Sequence, residues 1–278
     1  MLVFPNCKIN LGLYVTEKRA DGYHNIESVF YPINWTDALE VLENKDPGSN
    51  PFSLQEYPAP LGIAREKHLI YKAWLLLSQR FRFPPLAFHL YKNLPMGAGL
   101  GGGSSDAAFC IEILVKKFKL DLSQDLRTEL AAQLGSDCAF FIQNSPRFAS
   151  GRGEILHPVE LDLSAFFILL VYPGIHCNTA DAYRAVHPRK GRTSLMHLVR
   201  QYGPEEWKNH LMNDFEESAF SQHPILARIK QNLYDTGAVY ASMSGSGSTV
   251  YGLYKQEPDL SRFKAYSCYL QKPGKLSG

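Results

Sequence analysis

Residues 94–108 read LPMGAGLGGGSSDAA. A proline enters the stretch, glycines stand at 97, 99, 101, 102 and 103, and the chain then passes directly into helix-forming residues. Upstream, LAFHLY (86–91) has the composition of a strand; downstream, SSDAAFCIEILVKKF (104–118) has the pattern of a largely buried helix starting near Ser104. A strand, a glycine loop and a helix N-terminus in that order point backbone N–H groups and the positive end of a helix dipole at one place, which makes an anion site. The Walker scheme needs Lys and then Ser or Thr after the last glycines, and Gly103 and Ser104 stand there instead. The dinucleotide pattern matches Gly97, Gly99 and Gly102, but it requires a following strand with an acidic end about 20 residues on, where a second helix pattern follows here. A protein-kinase loop belongs to a hairpin, whereas this one feeds a helix. The surviving reading is a lysine-free phosphate cradle, and the direct passage into a capped, Ala-rich helix argues against a flexible linker.

Outward from the loop, NCKINLGLYV (6–15), IESVFYPI (26–33) and DALEVLE (37–43) read as strands, with a turn at Asp21-Gly22. NKDPGSNPFSLQEYPAPLG (44–62) reads as a long Pro-rich surface connection. EKHLIYKAWLLLSQRF (66–81) places Leu69, Ile70, Ala73, Leu76, Leu77 and Arg80 at helical spacing. SQDLRTELAAQLG (123–135) is a second helix, capped by Ser123 and closed by Gly135. NSPRFASGRGEILHP (144–158) concentrates Gly, Pro and Ser and is the place for a domain junction, giving domains over 1–153 and 154–278. Beyond it come the strand FFILLVYP, a helix at TADAYRAV, a polar helical stretch over 194–220, the helix PILARIKQNLY, and the strands GAVYAS and STVYGLY. Strands first and then helices mixed with strands predict a two-lobed α+β protein without regular βαβ winding.

The 278 residues carry 29 basic and 27 acidic side chains, a formal charge of +2, with no basic stripe of the kind that grips nucleic acid. Cys7, Cys110, Cys138, Cys177 and Cys268 are odd in number and lack disulfide-framework or zinc spacing, which fits a reducing cytoplasm. The N-terminus has no leader pattern, and the longest apolar run, AFFILLVY (165–172), is less than half a membrane span. A cytoplasmic monomer or homodimer acting on a small molecule, without nucleic-acid or membrane partners, is expected.

The loop LPMGAGLGGGSSDAA resembles the second motif of the GHMP kinase superfamily, small-molecule kinases that hold ATP phosphates in such a loop. SMSGSGSTVYGL (242–253) resembles the third motif and NCKINLGLYV the first, in the family's order over essentially the whole chain. The resemblance implies an N-terminal lobe of the ribosomal-protein-S5-domain-2 type and a ferredoxin-like C-terminal lobe. It implies ATP and Mg²⁺ as cofactors, with Pro95, Met96, Gly97, Ala98, Gly99, Leu100, Gly101, Gly102, Gly103, Ser104 and Ser105 binding ATP. Ser244, Gly245, Ser246 and Gly247 would support that loop, and no metal ligand is named. KINLGLYV, RADGYHNIESVF and GSDCAFF place the chain nearest the branch acting on a cytidine diphosphate ester of an erythritol, on the methylerythritol phosphate route to isoprenoid precursors. Kinases of homoserine or mevalonate, a decarboxylating relative and a non-catalytic nucleotide-binding protein of the same fold remain alternatives.

On strand periodicity Cys7, Ile9, Leu11 and Leu13 share one face, and Lys8, Asn10 and Gly12 share the other. From residues alone Lys8 reads as a charged guard on an edge strand, and Asp137, before an apolar run, reads as a cap or turn residue. The resemblance places Lys8 and Asp137 on the family's catalytic pair and Asn10 on a substrate-binding asparagine. A carboxylate oriented by an ammonium can take the proton of the attacking hydroxyl. The resemblance also implies a cytosine sandwiched between Tyr23 and Tyr183 with His24 at its edge, and further substrate contacts at Phe30 and Thr179. The chain departs from the family pattern with Tyr rather than Phe at 183 and Ala180 in place of a frequent Pro. Asp106 is read as a structural residue in the first turn of its helix, complementing the helix dipole.

Overall fold

The protein is described as a computed structural model over residues 1–46, 48 and 50–274. Its strands are β1 (Leu2–Val3), β2 (Asn6–Lys18), β3 (His24–Thr36), β4 (Ala38–Glu43), β5 (Phe52–Tyr57), β6 (Leu86–Tyr91), β7 (Arg147–Ser150), β8 (Ile155–Pro158), β9 (Phe167–Tyr172), β10 (Tyr240–Met243), β11 (Val250–Tyr254) and β12 (Ser267–Gln271). Its helices are α1 (Leu69–Ser78), α2 (Gly102–Phe118), α3 (Gln124–Ala132), α4 (Cys138–Gln143), α5 (Thr179–Ala185), α6 (Leu195–Gln201), α7 (Glu216–Gln222) and α8 (Pro224–Asp235). Helices and largely antiparallel sheets together make the α+β class.

Packing divides the chain into two compact units that are interleaved in sequence. One comprises Met1–Cys7, Thr36–Leu94 and Gly101–Asn144; the other comprises Lys8–Trp35, Pro95–Leu100 and Ser145–Gly278. In the first unit the sheet order is β1-β4-β6-β5. β4 and β6 run antiparallel from Ala38↔Tyr91 to Glu43↔Leu86, and β5 runs parallel to β6 from Phe52↔Leu86. β5 corrects the reading of 44–62 as loop throughout. The flanking prolines masked a six-residue strand whose Phe52 is buried and packs on Phe88 and Trp74 at ring distances of 4.9 and 5.2 Å. Burial of one such ring stabilises by roughly 1.5–3 kcal/mol, which outweighs the local turn propensity.

α1 is shorter than the sequence pattern. His68 caps it, with Nδ1 accepting from the Ile70 N–H at 3.2 Å, and the helix buries Ile70, Ala73, Trp74 and Leu77. α3 starts as expected, with Ser123 Oγ accepting from the Leu126 N–H at 3.3 Å.

The second unit holds the sheets β2-β3-β7-β8 and β10-β11-β9-β12. Its core joins Leu13, Val15 and Ile26 from the first sheet with Leu169, Val171, Met243 and Val250 from the other, and Leu226, Ile229 and Leu233 from α8 cover them. Residues 144–158 contain the β7–β8 hairpin, paired to β3 through Ser28↔Ala149, so their Gly and Ser form a turn within a sheet. The polar stretch over 194–220 is not one helix. It breaks into α6, a short 3₁₀ turn at Trp207–Asn209 and α7, because buried Trp207 and Leu211 anchor the connection between them. No helix among the described residues is long and apolar enough to cross a membrane.

Candidate active site

β2 is an edge strand of its sheet, yet Lys8 is 4 % exposed and Asn10 is 1 % exposed. A guarding lysine would stand in water. This one is held, with Nζ donating to Asn10 Oδ1 at 2.6 Å and lying 4.8 Å above the ring of buried Phe30. Asn10 is fixed in turn: its Nδ2 donates to Ser28 Oγ at 2.9 Å, Ser28 Oγ donates to the Gly12 carbonyl at 2.7 Å, and Tyr251 OH donates to the Asn10 carbonyl at 2.7 Å. A buried ammonium needs such a shell, because taking a charge out of water without partners is costly.

The open edge of β2 is taken by the glycine loop: the Lys8 N–H donates to the Leu100 carbonyl at 3.0 Å. Lys8 Nζ also reaches the Gly99 carbonyl at 3.5 Å. Ser244, in the turn between β10 and β11, donates from Oγ to the same carbonyl at 2.8 Å. A Cβ on Gly99 would lie 2.0 Å from the Ser244 carbonyl oxygen, so glycine is obligatory where the second and third motifs meet. The Thr249 N–H adds a bond to the Ala98 carbonyl at 3.1 Å, and Asn213 Nδ2 braces the turn through the carbonyls of Met243 and Gly245, both at 2.8 Å. The sequence reading missed Ser28, Asn213 and Tyr251; each lies far along the chain from its partner, and nothing local marks it.

Gly97, Gly99 and Gly101 have φ of 61, 77 and 73°, the left-handed region. Gly101 is the residue before the first turn of α2, which begins at Gly102 and not near Ser104. Ser105 Oγ is buried at this helix start without a hydrogen-bond partner. The N–H groups of a helix start, with an unsatisfied hydroxyl beside them, suit an incoming anion. Gly101→Val forces a β-branched side chain into positive φ. It is expected to weaken ATP binding by at least tenfold, a larger effect than the drop in melting temperature from about 1–3 kcal/mol of backbone strain; calorimetric titration with the nucleotide alongside a thermal melt checks both.

Asp137 lies in the other compact unit from Lys8, immediately before α4, with helical backbone angles and no side-chain cap bond. It stands in a turn at the start of α4, as its sequence context suggests, but its side chain makes no cap bond there. His24 and Tyr183 are brought together, but face to face, with ring centroids 5.1 Å apart and planes 22° from parallel. Tyr183 also meets the edge of Phe215 at 4.9 Å. Burial, and then the nearby Lys18, lower the pKa of His24 and favour its neutral ring. Tyr23 is 57 % exposed, with the Arg152 guanidinium 4.8 Å from its ring centre. Thr179 Oγ1 and Ser246 Oγ are bonded at 2.9 Å, which ties the start of α5 to the third-motif turn. Pro95 and Met96 enter the loop, and Met96 is 46 % exposed.

Comparison with known proteins fits this arrangement. The model of the GHMP kinase N-terminal domain matches residues 68–145, and that of the GHMP kinase C-terminal domain matches 195–267. The chain belongs to the GHMP kinase family. It is 49 % identical over 260 residues to 4-diphosphocytidyl-2-C-methyl-D-erythritol kinase of Bacteroides thetaiotaomicron, covering 94 % of each chain. It is 44 % identical, over the whole of both chains, to the protein of the same name from Parabacteroides distasonis. A crystal structure of 4-(cytidine 5'-diphospho)-2C-methyl-D-erythritol kinase aligns with a TM-score of 0.80 at 30 % identity, over 97 % of this chain and 98 % of that one. The mevalonate kinase of Methanococcus jannaschii shares the GHMP fold, with a TM-score of 0.72 at 14 % identity.

Proposed function

We propose that this GHMP kinase transfers the γ-phosphoryl group of ATP to the 2-hydroxyl of 4-diphosphocytidyl-2-C-methyl-D-erythritol, a step on the route to isoprenoid precursors. The observation that carries the reading is the buried Lys8 ammonium, held by Asn10 within reach of the glycine-loop carbonyl of Gly99, in a chain related over almost its full length to kinases of that name. The backbone of residues 95–105 binds the ATP phosphates, and residues 244–247 hold that backbone in shape. Lys8 supplies positive charge where negative charge builds up during transfer, and Asp137 accepts the proton of the attacking hydroxyl. Mg²⁺ bound with the nucleotide would supply further positive charge to the transferring phosphate. Along the sequence, residues 1–153 carry the ATP loop and 154–278 the third motif.

The cytidine end is read onto Tyr23, His24 and Tyr183, with Phe30 and Thr179 as further contacts. Because the His24 ring already covers one face of Tyr183, a cytosine stacking on that face displaces the imidazole to the edge of the base, where a neutral ring can share a hydrogen bond with it.

The test is a panel of alcohols (the cytidine diphosphate ester, homoserine and mevalonate) with ATP and Mg²⁺, following ADP. Turnover of the cytidine ester alone is expected, and preference for either other alcohol defeats the substrate assignment. Tyr183→Ala should cost about 1–3 kcal/mol of cytidine diphosphate affinity, the scale of one base stack, with ATP affinity nearly constant. Equal losses for both ligands would mean general damage to the fold instead.

A further inference from the structure

A buried charge cluster lies at the base of the glycine loop, within the first compact unit, and none of the roles assigned above uses it. Lys92 ends the chain's run out of β6, and its side chain is 7 % exposed. It is hydrogen-bonded to Asp37 Oδ2 and, at 2.8 Å, to Asp106 Oδ2. Asp37 Oδ1 meanwhile accepts the N–H groups of Asn93 and Leu94, both at 2.7 Å. Asp106 is in the second turn of α2, not the first, and is 3 % exposed. A Cβ on Gly102 would meet Leu94 Cδ1 at 3.4 Å and Lys92 Nζ at 3.5 Å, so the start of α2 packs directly on the residues that precede the loop. The chain leaves this unit after Leu94 and returns at Gly101. Carboxylate, ammonium and carboxylate thus join its departure to its return.

We propose that Lys92 is a positioning residue for the phosphate donor: clasped between Asp37 and Asp106, it fixes the spacing of the two ends of the glycine loop and with it the aim of the N–H groups at the start of α2. The proposal rests on the reading of residues 95–105 as the ATP phosphate site. The physical case is one of alternatives. Packed apolar side chains would hold the two ends at similar stability, since a buried ion cluster is expensive to desolvate. What the cluster adds is direction, because both oxygens of Asp37 and Oδ2 of Asp106 accept from specific donors at specific angles.

The cluster also has a titrating member. One ammonium cannot neutralise two buried carboxylates. Burial, reinforced by the nearby Asp37, outweighs Lys92 and pushes the Asp106 carboxyl up to about 7, and its Oδ1 has no hydrogen-bond partner. The other titratable neighbours are His68, paired with Glu56 at 3.1 Å and lowered mainly by burial, and Cys110, whose thiol burial holds far above neutrality. Below pH 7 the proton on Asp106 keeps the cluster neutral. Above it, a net negative charge sits behind the helix start and opposes the incoming phosphates, so ATP KM should rise with pH. Stability moves in the same sense: the native state holds a proton that the unfolded chain has lost, so raising pH from about 4 to 7 destabilises the fold.

Lys92→Met is expected to raise the KM for ATP at least tenfold while kcat and the KM of the alcohol change less than threefold. A folded Lys92→Met enzyme whose ATP KM stays within twofold of wild type overturns the proposal. Asp106→Asn supplies a second readout. The inflection of ATP KM near pH 7 should vanish in this isosteric variant, and a profile superimposable on that of wild type overturns the proposal even if Lys92→Met does not fold. Gly101→Val separates the two layers of the argument. If it too leaves ATP affinity intact, the loop reading fails and the clasp with it; if it loses ATP affinity while Lys92→Met does not, the clasp alone fails.

Discussion

Asp137→Ala is expected to lower kcat by about 10²–10⁴, the range of a positioned general base, with ATP affinity unchanged. Asp137 stands at the N-terminal end of α4 and makes no side-chain cap bond, and a thermal melt of the variant separates loss of chemistry from loss of fold. Single-turnover phosphoryl transfer measured beside calorimetric ATP binding checks both halves. Wild-type turnover in the folded variant would remove Asp137 from the chemistry.

Lys8→Met is expected to lower kcat by on the order of 10²–10³, as loss of one preorganised positive group at the transferring phosphate does. Methionine keeps much of the stem that fills the space over Phe30, but it removes the donor to Asn10 Oδ1 at 2.6 Å, leaving that oxygen only the longer 3.4 Å bond from Ser244 Oγ. An under-satisfied buried oxygen costs about 1–3 kcal/mol, and this is partly offset because an ammonium no longer has to be kept out of water. The melting temperature should therefore shift far less than the rate. A kcat within threefold of wild type in the folded variant would show that Lys8 serves the fold alone.

The sequence carried much of the local architecture. Asp21-Gly22 turns, Ser123 caps α3, and the alternation in NCKINLGLYV forms β2. The motifs were legible because glycine at positive φ and a helix start are encoded by neighbouring residues. The failures share one cause. β5, the β7–β8 hairpin and the break between α6 and α7 each obey a distant partner: Phe52 follows Phe88, Ser28 pairs with Ala149, and Trp207 packs against Tyr240 at 5.7 Å. Local composition pointed elsewhere, and burial overrode it.

The site divides in the same way. The sequence by itself determined the chemistry available: a lysine-free glycine loop opening a helix, a lysine on a strand, an aspartate before an apolar turn, and aromatic residues in two distant loops. Only the tertiary structure decided that Lys8 is buried rather than a surface guard, that Ser244 closes on Gly99 across 145 residues, and that Lys92 joins Asp37 to Asp106 across 55 and 14 residues. It also turned the His24 ring onto Tyr183. Turns and caps are settled within a few residues by φ, ψ and one hydrogen bond. The burial of a charge and the meeting of two loops depend on which surfaces exclude water together, and that is fixed only when segments far apart in the chain pack.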